Sequence, residues 1–130
     1  MLAECAVDRM RRVSYRILIV DDSEAFRRTA AQLLAKRGFE SAGAVADGEA
    51  ALAAVCSDCP DGILLDINLP GSDGFAVAAS LAAACSGARI VLTSADVGQV
   101  PAQVLQTCAV VAFVPKQELA VADLRTLFSG

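Results

Sequence analysis

Residues 16–23 read Arg-Ile-Leu-Ile-Val-Asp-Asp-Ser. From Ile17 to Val20 every position is apolar and most are branched, with none of the in–out alternation of a strand that has one wet face. The run therefore predicts a strand buried on both faces. Asp21-Asp22 ends it abruptly, and Ser23 is a helix N-cap type placed before Phe26, Ala30, Leu33 and Leu34 at helical spacing. Lys36 and Arg37 suit a helix C-terminus, and Gly38 stops the helix.

The same unit repeats along the chain. Phe39 to Ala46 reads as a weaker strand, and Asp47-Gly48 opens a helix with Ala51, Leu52 and Val55 on one face. Pro60 breaks that helix, and Gly62 to Leu65 is a second buried strand ending at Asp66. Leu69 to Asp73 is a turn, and Phe75 to Ala84 a helix. Arg89 to Leu92 is a third buried strand, ending at Thr93-Ser94. A helix is predicted over Val100–Thr107, a strand over Ala109–Val114 and a final helix over Leu119–Phe128. Strands alternate with helices five times, which predicts a parallel α/β sheet covered by helices on both faces.

Composition narrows the function. The chain has 130 residues, 55% of them hydrophobic and 20% charged, enough apolar material for one core. A net charge of -4 argues against a phosphate-driven nucleic-acid binder. With no His at all, a His triad, a His-ligated zinc and a phosphohistidine carrier are excluded. The most continuous apolar stretch, Phe75 to Cys85 with Ser80 inside it, falls well short of the roughly 20 residues a membrane helix needs. Residues 1–15 carry Glu4, Asp8, Arg9, Arg11 and Arg12 among small residues, which is not a signal-peptide pattern. They read as a flexible extension ahead of a domain spanning 16–130. Five cysteines, an odd number, fit a reducing cytosol better than a disulfide framework. The Cys56-Ser57-Asp58-Cys59 spacing lies at a helix end, lacks two further zinc ligands and reads as incidental.

In parallel sheets, sites form at the carboxyl ends of strands. Those ends carry Asp21, Asp22, Asp66, Thr93 and Lys116. Any one of them has an ordinary explanation, and Asp47, Asp61 and Asp73 are read as caps and turn residues. Together they make a chemistry. Three carboxylates in one crevice repel unless a cation neutralises them. Oxygen ligands without His select a hard ion, Mg²⁺ first, with Mn²⁺ or Ca²⁺ as alternatives. A lysine opposite the ion, with a threonine hydroxyl between, makes a receptor for a tetrahedral oxyanion. A carboxylate in its centre can attack phosphorus. The residues alone thus describe a metal-assisted phosphoryl acceptor on an Asp.

This set, with Ile-Leu-Ile-Val-Asp-Asp-Ser, Pro-Asp-Gly-Ile-Leu-Leu-Asp-Ile-Asn-Leu-Pro-Gly-Ser-Asp-Gly-Phe, Ile-Val-Leu-Thr-Ser and Phe-Val-Pro-Lys, resembles receiver domains of bacterial two-component response regulators. The resemblance implies a five-stranded, flavodoxin-like doubly wound (βα)5 fold in a cytoplasmic protein. It implies that Asp66 accepts a phosphoryl group from a histidine kinase or phosphotransfer protein. Asp21, Asp22, Asp66 and the backbone carbonyl of Asn68 would hold Mg²⁺, with Thr93 and Lys116 on the phosphoryl oxygens and Phe113 as an aromatic switch. The expected role is a signalling phosphoacceptor acting on an output protein, and not an enzyme on other substrates.

Three departures from the family pattern stand out. Ser94 follows Thr93 where Ala or Gly is usual, Phe113 replaces the frequent Tyr, and Pro115 precedes Lys116 where Lys-Pro is frequent. A haloacid-dehalogenase-type phosphatase would need an acid where Asn68 stands. A flavin module would need a hydroxyl- and glycine-rich loop where Asp21-Asp22-Ser23 stands, and a degenerate docking receiver would not need the intact pocket. Val97 to Pro115 contains no charged residue, so Val100, Val104 and Leu105 are expected to form an apolar docking face, for an output protein or a homodimer.

Overall fold

The computed structural model describes residues 15–71, 73–95 and 110–129. Its elements are β1 (Arg16–Val20), α1 (Glu24–Lys36), β2 (Glu40–Val45), α2 (Gly48–Ser57), β3 (Gly62–Asp66), α3 (Gly74–Ala84), β4 (Arg89–Ser94) and β5 (Val110–Pro115). A 3-10 turn (Lys116–Glu118) and α4 (Leu124–Ser129) follow. The five strands form one parallel sheet in the order β2-β1-β3-β4-β5. The helix expected over Val100–Thr107 and the apolar face built on it, and residues 1–14 of the expected extension 1–15, lie outside the described residues.

The apolar runs of the three inner strands split between two cores. Ile17, Ile19, Leu64 and Val91 point to one side, where they meet Ala30 and Leu34 of α1 and Leu124 and Phe128 of α4. Leu18, Val20, Ile63, Leu65, Ile90 and Leu92 point to the other, against Ala51 and Val55 of α2 and Ala78 and Leu81 of α3. Alternate side chains serve opposite layers, so uniform hydrophobicity is what a doubly covered sheet requires. Fully burying one such Leu or Ile contributes on the order of 1.5–3 kcal/mol.

Helix starts are fixed by the residues expected to cap them. Ser23 Oγ accepts from Phe26 N–H at 3.1 Å, Asp47 Oδ1 from Ala50 N–H at 2.7 Å, and Asp73 Oδ1 from Phe75 N–H at 3.0 Å. Gly38, after α1, has φ +90°, a left-handed turn favouring glycine. Gly74 opens α3 against the backbone of Ile67: an added Cβ would stand 2.4 Å from the Ile67 Cα. That close approach pins the loop after β3.

Three expectations need correction. The final helix is not continuous over Leu119–Phe128. Asp123 captures the Thr126 N–H and hydroxyl, so α4 starts only at Leu124. Asp61 is more than a turn residue. It is buried, its carboxylate accepts from the Arg16 N–H at 2.9 Å, and its backbone bridges Arg16 and Arg89 at the start of β1 and β4. The cysteines are not all incidental thiols: Cys59 and Cys85 form a disulfide, Cα to Cα 5.8 Å. Cys59 precedes β3 and Cys85 caps α3 just before β4; because β3 and β4 are neighbours in the sheet, the two meet.

Candidate functional site

The carboxyl ends of β1, β3 and β4 converge on one acidic crevice. Asp21 and Asp66 are buried, Asp22 is exposed, and one carboxylate oxygen from each lies within 4.8 Å of the others. Two side-chain acceptances aim the buried pair: Asp21 Oδ1 takes the Ser23 N–H at 2.8 Å, and Asp66 Oδ1 takes the Asn68 N–H at 3.0 Å. The Asp21 carbonyl is also held, by Arg27 Nη1 at 2.7 Å. The donor set is all oxygen, open on the Asp22 side, and suits a hard divalent cation such as Mg²⁺.

Lys116 enters from the turn after β5. Its Nζ lies 2.6 Å from Asp21 Oδ2 and 3.7 Å from Asp66 Oδ2. The ammonium also sits 4.2 Å from the centre of the Phe26 ring. Phe26 reads in the sequence as a core residue of α1, and nothing in its helical spacing marks its second role as a platform for Lys116. Burial raises the Asp66 pKa above its ordinary value; the Asn68 N–H opposes this, Asp21 adds to it, Lys116 opposes it and Asp22 adds to it. The net shift is upward, so the ionised carboxylate is held at a cost.

Thr93 is the register partner of Asp66 across the β3–β4 ladder, and its carbonyl accepts the Ile67 N–H at 3.0 Å. Its hydroxyl is fully buried and has no hydrogen-bond partner among the described residues. A buried hydroxyl without a partner is costly. Ser94 faces the same loop: its hydroxyl accepts from the Asn68 side-chain amide, tying the loop after β3 to β4. The sequence marks Ser94 only as an unusual residue type and gives no sign of this partner.

Asp21, Asp22, Asp66 and Lys116 are thus gathered, with Thr93 beside Asp66 on β4. Asn68 contributes its N–H to Asp66; its side chain turns to Ser94. Phe113 does not join the cluster. It lies on β5 opposite Leu92, half-buried against the core formed with α2 and α3. Among the described residues no helix is long and apolar enough to cross a membrane.

The chain is similar to known proteins. The response regulator receiver domain family matches residues 17–128. The chain is 46% identical over 69 residues to the response regulator PleD of Caulobacter vibrioides, covering 53% of this chain and 15% of that protein. It is 39% identical over 80 residues to a protein-glutamate methylesterase/protein-glutamine glutaminase of Anaeromyxobacter dehalogenans, covering 61% of this chain and 24% of that one. The chain therefore spans about a quarter or less of these curated relatives. Among solved structures, the receiver domain of the putative response regulator NarL from Mycobacterium tuberculosis superposes with a TM-score of 0.73 at 31% identity, covering 90% of this chain and 98% of that one. A CheY-like receiver domain from Methylobacillus flagellatus gives a TM-score of 0.78 at 24% identity, covering 88% and 98%, a likeness of fold. With the family matched over nearly all of the described sheet and its acidic crevice, the chain belongs to the receiver-domain family of two-component response regulators, whose members serve as phosphoacceptors.

Proposed function

We propose that Asp66 is the residue phosphorylated, and that residues 16–130 form the receiver unit with 1–15 as an extension. The observation that carries the reading is the position of the Asp66 carboxylate: at the end of the central strand, between two further carboxylates and the Lys116 ammonium. One oxygen, Oδ1, is held by the Asn68 N–H, while Oδ2 faces Lys116. Attack by this carboxylate on a phosphoryl donor would bring three further oxygens into the crevice. Lys116 and the Thr93 hydroxyl are the donors suited to them, and the orphaned state of Thr93 supports that role.

Asp21, Asp22 and Asp66, with the Asn68 carbonyl, would hold Mg²⁺, with Mn²⁺ as a substitute. When bound, the ion supplies neutralisation of the carboxylates and of the incoming phosphoryl charge. Lys116 would then exchange its contact with Asp21 for the phosphoryl group. Movement of Thr93 toward that group would leave space for Phe113, already half-buried beside Leu92, to turn inward and reshape the β4–β5 surface. On this reading the donor is a histidine kinase or phosphotransfer protein in the cytoplasm. The chain catalyses only its own phosphorylation and dephosphorylation, and the recipient of the signal is an output protein or a second copy.

The test is acetyl phosphate with Mg²⁺, read by intact mass. The wild type should gain one phosphate and Asp66→Asn none. Phosphate retained by a folded Asp66→Asn protein would move the acceptor elsewhere. No gain by the wild type with either acetyl phosphate or a phosphorylated histidine donor would reduce the domain to a docking module.

A further inference from the structure

The sheet end opposite the acidic crevice carries a second reactive group. The Cys59–Cys85 disulfide links the turn entering β3 to the turn entering β4. Its two residues differ in access: Cys59 is exposed, whereas Cys85, the C-cap of α3, is 2% exposed. A thiolate must reach the sulfur it attacks, so solvent offers only Cys59, and the leaving sulfur is then Cys85. A third cysteine lies three residues away in sequence: Cys56 is an exposed free thiol in the last turn of α2.

We propose that Cys56, Cys59 and Cys85 form a thiol–disulfide exchange site whose reactant is a small-molecule thiol. In the first step the thiolate attacks Cys59 Sγ. The bond from the small thiol to Cys59 forms, the Cys59–Cys85 bond breaks, and Cys85 leaves as a thiolate that takes the proton given up by the attacking thiol. In the second step the Cys56 thiolate attacks the same Cys59 sulfur. The Cys56–Cys59 bond forms, and the small thiol leaves with the proton lost by Cys56. No net oxidation occurs: the disulfide moves by one partner and the small thiol is regenerated. The freed Cys85 has a ready acceptor, since its sulfur lies 3.9 Å from the Pro60 carbonyl.

The two bridges constrain different things. Cys59–Cys85 crosses between β3 and β4 and closes a loop with a sequence separation of 26. Cys56–Cys59 staples only its own turn and leaves the two strand entries joined by hydrogen bonds alone, such as Arg89 N–H to the Asp61 carbonyl at 3.0 Å. Burial of Cys85, and its place at the carbonyl end of α3, both disfavour the departing thiolate, so opening is slow and answers to sustained thiol exposure.

The experiment uses the full chain, purified without reductant and incubated with reduced glutathione. Samples are acid-quenched, alkylated and mapped by protease digestion. Wild type should pass from a Cys59–Cys85 peptide pair to a Cys56–Cys59 peptide with alkylated Cys85. Cys56→Ser should stop at the first step and hold at least tenfold more glutathione on Cys59 than wild type, with an unchanged circular dichroism spectrum. Equal glutathionylation in the two proteins would remove Cys56 from the site. Glutathione on Cys85, or absence of the Cys59–Cys85 pair from the oxidised folded protein, would overturn the proposal as a whole.

Discussion

Replacing Lys116 by Met removes the ammonium, and with it the cation–π contact to Phe26, while keeping an unbranched side chain. Asp21, almost fully buried, then loses the ammonium 2.6 Å away, and Asp66 loses the one at 3.7 Å. At an effective dielectric near 20 these attractions are about 6 and about 4.5 kcal/mol before desolvation is charged against them. Removing one partner of a buried pair costs about 3–5 kcal/mol, because the remaining charge stays buried. Lys116 retains 19% side-chain exposure, which places the loss near the lower bound, about 3 kcal/mol. For a domain of 130 residues that is a fall in Tm of about 10 °C.

The pH dependence has a definite sign. The folded pKa of Asp66 already lies above its ordinary 3.8, and Lys116 is one of the groups holding it down. A raised carboxyl pKa costs stability above the folded pKa; the cost fades as pH falls through that value and is gone below the unfolded one. Without Lys116 the folded pKa rises further, so the deficit should be full at pH 8 and begin to shrink at a higher pH than any matching change in wild type. Urea unfolding in EDTA from pH 8 to pH 5 measures this. Saturating Mg²⁺ should recover part of the loss, by about 2.7 kcal/mol at a hundred times Kd. A deficit that is flat with pH, or that grows as pH falls, would show that Lys116 does not stabilise these carboxylates.

The same charge balance predicts that Asp66→Asn raises stability in EDTA at neutral pH, with the gain vanishing as pH falls below about 4, because it replaces a buried anion; chemical denaturation at both pH values measures it. Gly74→Ala should destabilise by about 3 kcal/mol, at the upper end for overpacking, since its Cβ meets Ile67 backbone that has no rotamer to escape into. Its acetyl-phosphate labelling should slow as well, because Ile67 precedes the loop that aims Asp66, and thermal melts with labelling time courses test both. Cys59→Ser should lower stability without reductant by about 3.5 kcal/mol, from the loop entropy of a 26-residue separation. Dithiothreitol should bring wild type and variant together in the same melt.

How far the sequence discloses the molecule depends on whether the deciding interaction is local. β1, β3 and β4 are legible because each is an unbroken apolar run ended by a polar residue of the site, and interior strands of a covered sheet need that pattern. β2 is faint because it is an edge strand with half its residues exposed, and a register shift opposite Ile17/Leu18 breaks its ladder. The caps Ser23, Asp47 and Asp73 are legible for the same local reason. What escapes is set by strand order. Cys59 and Cys85 are 26 residues apart and meet only because β3 and β4 are adjacent. The contacts of Lys116 with Asp21 and Phe26 likewise join the end of β5 to the first strand and helix, across β4 and β3.

Lys116 shows how a departure from the family pattern is absorbed. Pro115 is the last residue of β5, opposite Ser94, and lacks an N–H for a ladder bond. β5 is the edge of the described sheet, so only one side of that strand must pair, and the missing donor is tolerated there. Pro115 lies at φ -56° and ψ 144°, extended, and the chain turns at once into the 3-10 segment Lys116–Glu118, closed by the Leu119 N–H on the Lys116 carbonyl at 3.3 Å. The proline's fixed φ and the tight turn behind it set where the Lys116 side chain leaves the sheet. Leu119 anchors the turn in the core shared with α1 and α4. Among the described residues all peptide bonds are trans, so the lysine reaches the acidic crevice through this proline-then-turn geometry. A proline on the other side of Lys116 is not required to deliver the charge.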